Sequence, residues 1–234
     1  MRLFQGEEAA FRGGSPARPR RRVRRRRRLL FRRRVQLPEL APFVERLRST
    51  LASRTPEAVD RPEARRAAVS LLVAVGADPA ILFIKRQHRA GDPWSGQMAL
   101  PGGFAAPQDS SLEATARRET AEETGIDLGD VKLLGTLDDV RPRTPYLPPI
   151  VVRPFAFLLP ERVRPLPGPE VEAAVWLPIS QLFSPQFRRP FRFTLPGEVR
   201  EFPSIVIGDY TIWGLTERVL HQLEELGVAE PGAA

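Results

Sequence analysis

The chain has 234 residues, 42% of them hydrophobic and 27% charged, which suits one good-sized globular domain with an appendage. It holds no Cys and only two His, so disulfides, thiolate sites and the usual zinc ligand sets are excluded, and any metal must be held by oxygen. No apolar run approaches the ~18 residues that would cross a bilayer, and no stable membrane insertion is expected.

The net charge of +8 is unevenly spread. Residues 1–34 hold 14 Arg against Glu7 and Glu8, so the remaining 200 residues carry −4. The leader, with its "RRRVRRRRRLLFRRR" run, has the charge of a nucleic-acid patch or an anionic-membrane tether. Its apolar "LLF" is too short for a secretory signal, and nearly pure Arg does not match a Ser-rich mitochondrial peptide. The expectation is a self-repelling, disordered tail, or one not made at all if translation starts near Val35. With no targeting signal, the protein is expected in the cytoplasm.

Residues 37–52 place apolar side chains at helical spacing, and a Pro-punctuated connection follows, so 35–66 reads as a first helix and its link. "AAVSLLVAV" and "AILFIKR", separated by "GADPA", predict a β-hairpin. "GQMALPGGF" reads as a third strand running into a glycine pair. "SSLEATARRETAEETG" is a long helix with Ser110 and Glu113 at capping-box spacing and Gly125 as its stop. "VKLLGTLDDV" and "IVVRPFAFLL" are further strands, and "VEAAVWLPISQLF" is a strand entering a short helix. "FPSIVIGDYTIWGLTERVLHQLEEL" supplies a last strand and a closing amphipathic helix. Pro beyond residue 140 is expected only in connections and at strand ends. Interleaved strands and helices over 67–230 predict one α/β (α+β) sandwich domain.

The long helix gathers acids where a surface helix would not. At 100° per residue Leu112, Ala116, Glu119 and Glu123 fall within about 60° along one stripe, and Glu122 lies on the adjacent line. Glu119 and Glu123 repel as an i, i+4 pair. All three acids stand near the helix C-terminus, where the macrodipole disfavours them. A merely solvated face would place acids early and bases four residues later. Carboxylates converging from adjacent turns instead suit Mg²⁺ or Mn²⁺. The pair Gly102–Gly103, one short loop upstream, lets backbone approach a ligand beside that metal.

Together these residues resemble the Nudix hydrolase signature, G-x5-E-x7-R-E-U-x-E-E-x-G-U with U aliphatic. Gly103, Arg118, Glu119, Glu122, Glu123, Gly125 and Ile126 match seven of its nine fixed positions. Asp109 stands for the first Glu, one extra residue separates it from Arg118, and Thr120 replaces an aliphatic. The resemblance implies an α/β/α sandwich around a mixed sheet. It implies metal binding by Glu119, Glu122 and Glu123, assisted by the Gly103 carbonyl, with Arg118 orienting the carboxylates. The implied reaction is hydrolysis of a nucleoside diphosphate linked to another group. The metal neutralises pyrophosphate oxygens and acidifies a water for in-line attack. A carboxylate takes that water's proton: Glu119, or Glu170 in the loop before "AAVWLP", or its near neighbour Glu172, unless the last two are plain surface acids.

"RQHRAGDPWSGQMALPGG" and "IWGLT" are similar to the coenzyme A pyrophosphatase branch, which implies CoA or acyl-CoA as the nucleotide-type substrate. Arg86, Gly96, Pro101, Gly102 and Gly103 fit that branch's upstream motif with one added residue, while Asp92 stands where an Arg belongs and Leu100 where a Phe does. Lys85, Arg86 and Arg89 offer positive charge for a CoA 3′-phosphate. Trp94 is either an adenine platform or a packed loop anchor, Trp176 and Trp213 are expected in the core, and His88 and His221 at the surface. Other Nudix substrates (ADP-ribose, dinucleotides, oxidised nucleotides) share the same box. A non-enzymatic nucleic-acid binder led by the Arg tail leaves the acidic helix unexplained, so nucleic acid is not an expected partner.

Overall fold

The structure, a computed structural model, describes residues 41–91, 94–142, 149–195 and 198–229. The Arg-rich leader, the start of the first helix and Asp92 lie outside these residues.

In chain order, helix α1 (Pro42–Ser53) leads to strands β1 (Arg65–Ala74) and β2 (Ala80–Arg86), the short strands β3 (Met98–Ala99) and β4 (Gly102–Phe104), and helix α2 (Leu112–Thr124). Then come β5 (Leu133–Thr136), β6 (Ile150–Leu159), β7 (Val171–Pro178), the short helix α3 (Ile179–Leu182) and a 3₁₀ turn at Pro185–Phe187. Strands β8 (Arg188–Leu195), β9 (Glu198–Ile207) and β10 (Tyr210–Trp213) and helix α4 (Gly214–Glu225) complete it.

The main sheet is mixed and runs β3-β2-β1-β6-β5, with β4 added on β1 and β7 on β2. β1 lies parallel to β6 over ten residues, Arg65↔Ile150 to Ala74↔Leu159. Because alternate side chains of a strand face opposite ways, β1 feeds two cores. Ala67, Leu71 and Val73 join Phe43, Leu47, Leu51, Val219 and Leu223, from α1 and α4, on one side. Ala68 and Leu72 join Leu82, Phe157 and Ala116 of α2 on the other. Helices therefore cover both faces of a mixed sheet, the α/β/α layering expected.

The predicted hairpin forms, but β1 and β2 pair directly only beside their turn, at Val73↔Ile81 and Ala74↔Ala80. The single strand expected at "GQMALPGGF" is in fact two: β3 pairs with β2 and β4 with β1. The chain crosses between them at Leu100 and Pro101, where Ser70 N–H donates to Pro101 O at 2.7 Å. A Cβ on Gly102 would stand 2.2 Å from Ala68 O, so only glycine lets β4 lie this close to β1.

Two further expectations are corrected. Residues 188–213 form a separate three-stranded antiparallel sheet, β10-β9-β8, where one strand was expected. Pro also occurs inside strands: Pro190 sits opposite Pro203, and Pro154 lies within β6, opposite Val69. Pro154 O accepts from Leu137 N at 3.1 Å, so its missing donor points to the same side, just past the end of β5 at Thr136. The position costs the ladder little.

Candidate active site

Helix α2 carries the acids, and its two ends explain where they sit. The N-cap is Ser111 rather than Ser110: its side chain accepts from Ala114 N at 3.1 Å. Glu113 closes no capping box and instead holds Arg117 at 2.7 Å. At the other end Gly125 adopts φ 69° and closes the helix onto Ala121 O, a left-handed cap that favours glycine.

The three acids occupy graded environments. Glu122 is exposed, Glu119 half-buried and Glu123 buried, with 6% of its surface accessible. Glu123 faces the sheet, where its Oε2 accepts from Gly102 N at 2.8 Å. Burial pushes the Glu123 carboxyl up to about 8; Gly102 N–H and Arg86 oppose the rise, and Glu119 and Glu170 add to it. Burial likewise raises the Glu119 carboxyl, against the pull of Arg118. Thr120, at an aliphatic position of the signature, is fully buried and donates to Ser70 Oγ at 2.8 Å, while Ser70 donates to Ala116 O at 3.2 Å. A polar helix face is thus matched by a polar residue of β1.

Arg118 is the hub of the site, not a solvated surface residue. Its Nη1 donates to Glu119 Oε1 at 2.7 Å and to Glu122 Oε2 at 3.2 Å, and its Nη2 also reaches Phe104 O at 3.2 Å. Asp109 grips the guanidinium from behind with both oxygens, at 2.9 Å to Nε and 2.8 Å to Nη2. Asp109 is itself oriented by Ala106 N and by the Thr115 hydroxyl, each at 2.9 Å. Its side chain is 5% exposed, and Arg118 and these donors hold its carboxyl well below the usual range. The shorter acid and the extra loop residue therefore still deliver a carboxylate to Arg118. The sequence flagged Asp109 only as a departure; its service to Arg118 became visible in the structure.

The donor set is one of carboxylate oxygens with a backbone glycine beside it. Among the described residues no three acidic or His side chains are already gathered as a metal site, because Arg118 bridges Glu119 and Glu122. Among the described residues, Glu119 and Glu122 each give one oxygen to Arg118, and Glu123 gives one to Gly102 N–H. The set is all hard oxygen, and a buried carboxylate with a raised pKa is one that a cation would ionise. These residues fit a divalent metal. Gly103 lies against them: a Cβ there would stand 2.5 Å from Glu119 Cδ.

Around this centre, β2 and β7 pair antiparallel and bring basic and acidic side chains to one edge. Glu170 meets Arg89 at 3.0 Å and Glu172 meets Lys85 at 2.7 Å. Glu170 and Arg86 both act electrostatically on Glu123, so both stand near the acidic helix. Gly102, expected at the substrate, gives its N–H to Glu123. Trp94 is partly buried and packs on the core. Trp176 is tied to Val163 O at 2.8 Å, and Trp213 lies among Phe191, Phe193 and Phe202, centroids 4.5–5.6 Å away. That aromatic group belongs to the small sheet, so Trp213 does not fill the central core. His88 and His221 are at the surface, as expected. A cavity of about 400 Å³ is lined by Arg188, Arg189, Pro190, Glu201, Phe202, Pro203 and Ser204, none of them a residue of this site.

Comparison with known proteins points the same way. A family model described as the NUDIX domain matches residues 64–195, over half of the chain. The human mitochondrial coenzyme A diphosphatase NUDT8 is 32% identical over 194 residues, covering 81% of each chain. The uncharacterized Nudix hydrolase NudL of Photorhabdus laumondii is 31% identical over 162 residues, 69% of this chain and 84% of that one. An uncharacterized Schizosaccharomyces pombe protein is 38% identical over 120 residues, but the match spans only 36% of its length. Among solved structures, a MutT/nudix family protein from Enterococcus faecalis aligns with a TM-score of 0.48 at 18% identity, covering 78% of this chain and 69% of that one.

Proposed function

The chain belongs to the Nudix hydrolase family, and from that premise we propose that it hydrolyses the pyrophosphate of coenzyme A or an acyl-CoA. The products are 3′,5′-ADP and 4′-phosphopantetheine or its acyl derivative. The observation that carries this reading is the 32% identity, over 81% of both chains, to a protein named as a coenzyme A diphosphatase. Nudix hydrolases use divalent cations; that the ion here is Mg²⁺ or Mn²⁺, and that the enzyme works in the cytoplasm, are parts of the proposal.

Glu119, Glu122 and Glu123 hold the cation, with Gly103 beside them. When bound, the ion neutralises charge on the pyrophosphate and acidifies the attacking water. The chain's own residues do the rest. Arg118, locked by Asp109, fixes the rotamers of Glu119 and Glu122. Glu170 takes the proton from the water as its oxygen bonds to phosphorus; the anhydride P–O bond breaks and the departing phosphate leaves as the anion. Arg86, Arg89 and Lys85 supply positive charge to the substrate's phosphates.

The test is to incubate the full chain with CoA and an equal amount of ADP-ribose in Mg²⁺ and resolve the products chromatographically. Metal-dependent 3′,5′-ADP is the expected result. AMP and ribose phosphate alone would retain the metal helix and overturn the CoA assignment.

A further inference from the structure

The segment that brings Glu170 to the site has an unusual make-up. Residues 165–169 read Pro-Leu-Pro-Gly-Pro. Alternate prolines fix φ at every second residue and restrict the residue before each of them. They also leave only two backbone donors in the segment, Leu166 and Gly168. Both are spent on the last turn of α2: Leu166 N donates to Thr124 O at 2.7 Å and Gly168 N to Glu123 O at 2.9 Å. These carbonyls are among those a helix end leaves without intrahelical partners. Leu166 is bound this way although 64% of its surface is exposed, so the backbone, not apolar burial, holds it.

The fit is close. A Cβ on Gly168 would stand 2.2 Å from Glu122 O, and one on Gly125 would stand 3.1 Å from Leu166 Cβ. The segment is also tied at both flanks. Trp176 Nε1 donates to Val163 O at 2.8 Å upstream, and Gln87 N donates to Glu170 O at 2.9 Å downstream. The same helix turn thus carries Glu122 and Glu123 and anchors the chain that presents Glu170.

We propose that residues 165–169 form a stiff bracket that fixes Glu170 at a set distance from the carboxylate helix, with Gly168 as its positioning residue. The bracket rests on the hydrolase reading above and deepens it. The helix is held by its buried face and by the Ser70 and Gly102 bonds, while the bracket is largely at the surface. A methyl group at Gly168 therefore displaces the bracket and leaves the helix in place.

The experiment is a double-variant cycle in the full chain, with kcat, KM and the Mg²⁺ concentration for half-activation measured on CoA, and folding followed by circular dichroism. Gly168→Ala is expected to lower kcat about tenfold or more, with KM and the Mg²⁺ requirement within about twofold. Glu170→Gln retains the slow turnover left when a general base contributing ~10²–10⁴-fold is lost, measurable by long incubation. In that background Gly168→Ala is expected to add less than about twofold, because residues acting as one unit are not additive. A full tenfold loss on top of Glu170→Gln, a tenfold weaker Mg²⁺ requirement, or unchanged kcat in Gly168→Ala would each overturn the bracket. A second variant, Pro167→Ala with Pro169→Ala, loosens the segment without the steric contact; it is expected to lose kcat several-fold while Tm falls by only a few °C, and full activity would overturn the stiffness. Hydrogen exchange separates failure of the bracket from failure of the hydrolase reading. Protected Leu166 and Gly168 amides are required by the bracket whatever the substrate, and unprotected ones overturn it even in an active enzyme.

Discussion

Replacing Glu123 with Gln gives a prediction whose sign differs between stability and activity. The carboxyl is buried, and its pKa rises from 4.5 to about 8. In the metal-free protein at pH 6 the folded state holds this proton and the unfolded chain does not. Folding stability therefore falls with pH across that window, by ~1.4 kcal/mol per pH unit. The loss begins near 4.5, is complete above about 8, and reaches about 5 kcal/mol at most. Glutamine is neutral throughout and can still accept from Gly102 N–H, so the variant escapes the loss. At ~2–4 °C per kcal/mol for a domain of this size, Glu123→Gln in chelator is expected to gain on the order of 10 °C in Tm over wild type between pH 5 and pH 8.5. Differential scanning calorimetry across that range reads the difference directly, and effects shared by both proteins cancel. The same substitution should abolish turnover, and Mg²⁺ should raise the wild-type Tm at pH 8 much more than the variant's. Parallel Tm–pH curves for the two proteins would refute the raised carboxyl, and with it the reason for placing a cation beside it.

Three other substitutions probe the parts around it. Asp109→Asn leaves Arg118 with a neutral partner, and turnover on CoA should fall about 10–100-fold with near-native far-ultraviolet dichroism. Gly103→Ala drives a methyl into the Glu119 carboxylate and should raise the Mg²⁺ requirement measured by activity titration. Thr120→Val removes one buried hydroxyl while Ser70 keeps Ala116 O, so urea denaturation should show a loss of about 1 kcal/mol at unchanged kcat.

The acidic helix was legible because its charges violate the ordinary rule for surface helices: Glu119, Glu122 and Glu123 sit where the dipole and their neighbours disfavour them. The first hairpin and β7 were legible because apolar runs bounded by turn residues leave few alternatives. The sheet β8-β9-β10 was hidden by its chemistry. Its buried face spends Arg188 on Glu217 and Glu224 of α4, its opposite face carries Phe191, Phe202 and Trp213, and Pro190 and Pro203 interrupt it. Apolar-in, polar-out alternation fails there. The break between β3 and β4 was invisible for another reason: both pieces are extended, and only the change of hydrogen-bonding partner at Pro101 separates them. Ser110 and Ser111 are equivalent as caps in sequence, and the geometry of the loop holding Asp109 chose between them. The bracket was not legible, because which carbonyls receive its two donors depends on tertiary structure.

Helix α1 lies outside the stretch matched by the family model yet is part of the same packed core. The family match begins at residue 64, yet Phe43, Val44, Leu47 and Leu51 are buried in the same cluster as β1 and α4. Arg54 holds Asp138, and Val59 N donates to Asp139, which also pairs with Arg66 and Arg153. A chain trimmed to residues 64–195 would lose α1 and α4 and bare this apolar face, taking Arg54 from Asp138 and the Val59 N–H from Asp139 while leaving Asp139 its pairs with Arg66 and Arg153. Boundaries set by the family model alone would therefore cut through one apolar core, which among the described residues begins about twenty residues earlier, at α1.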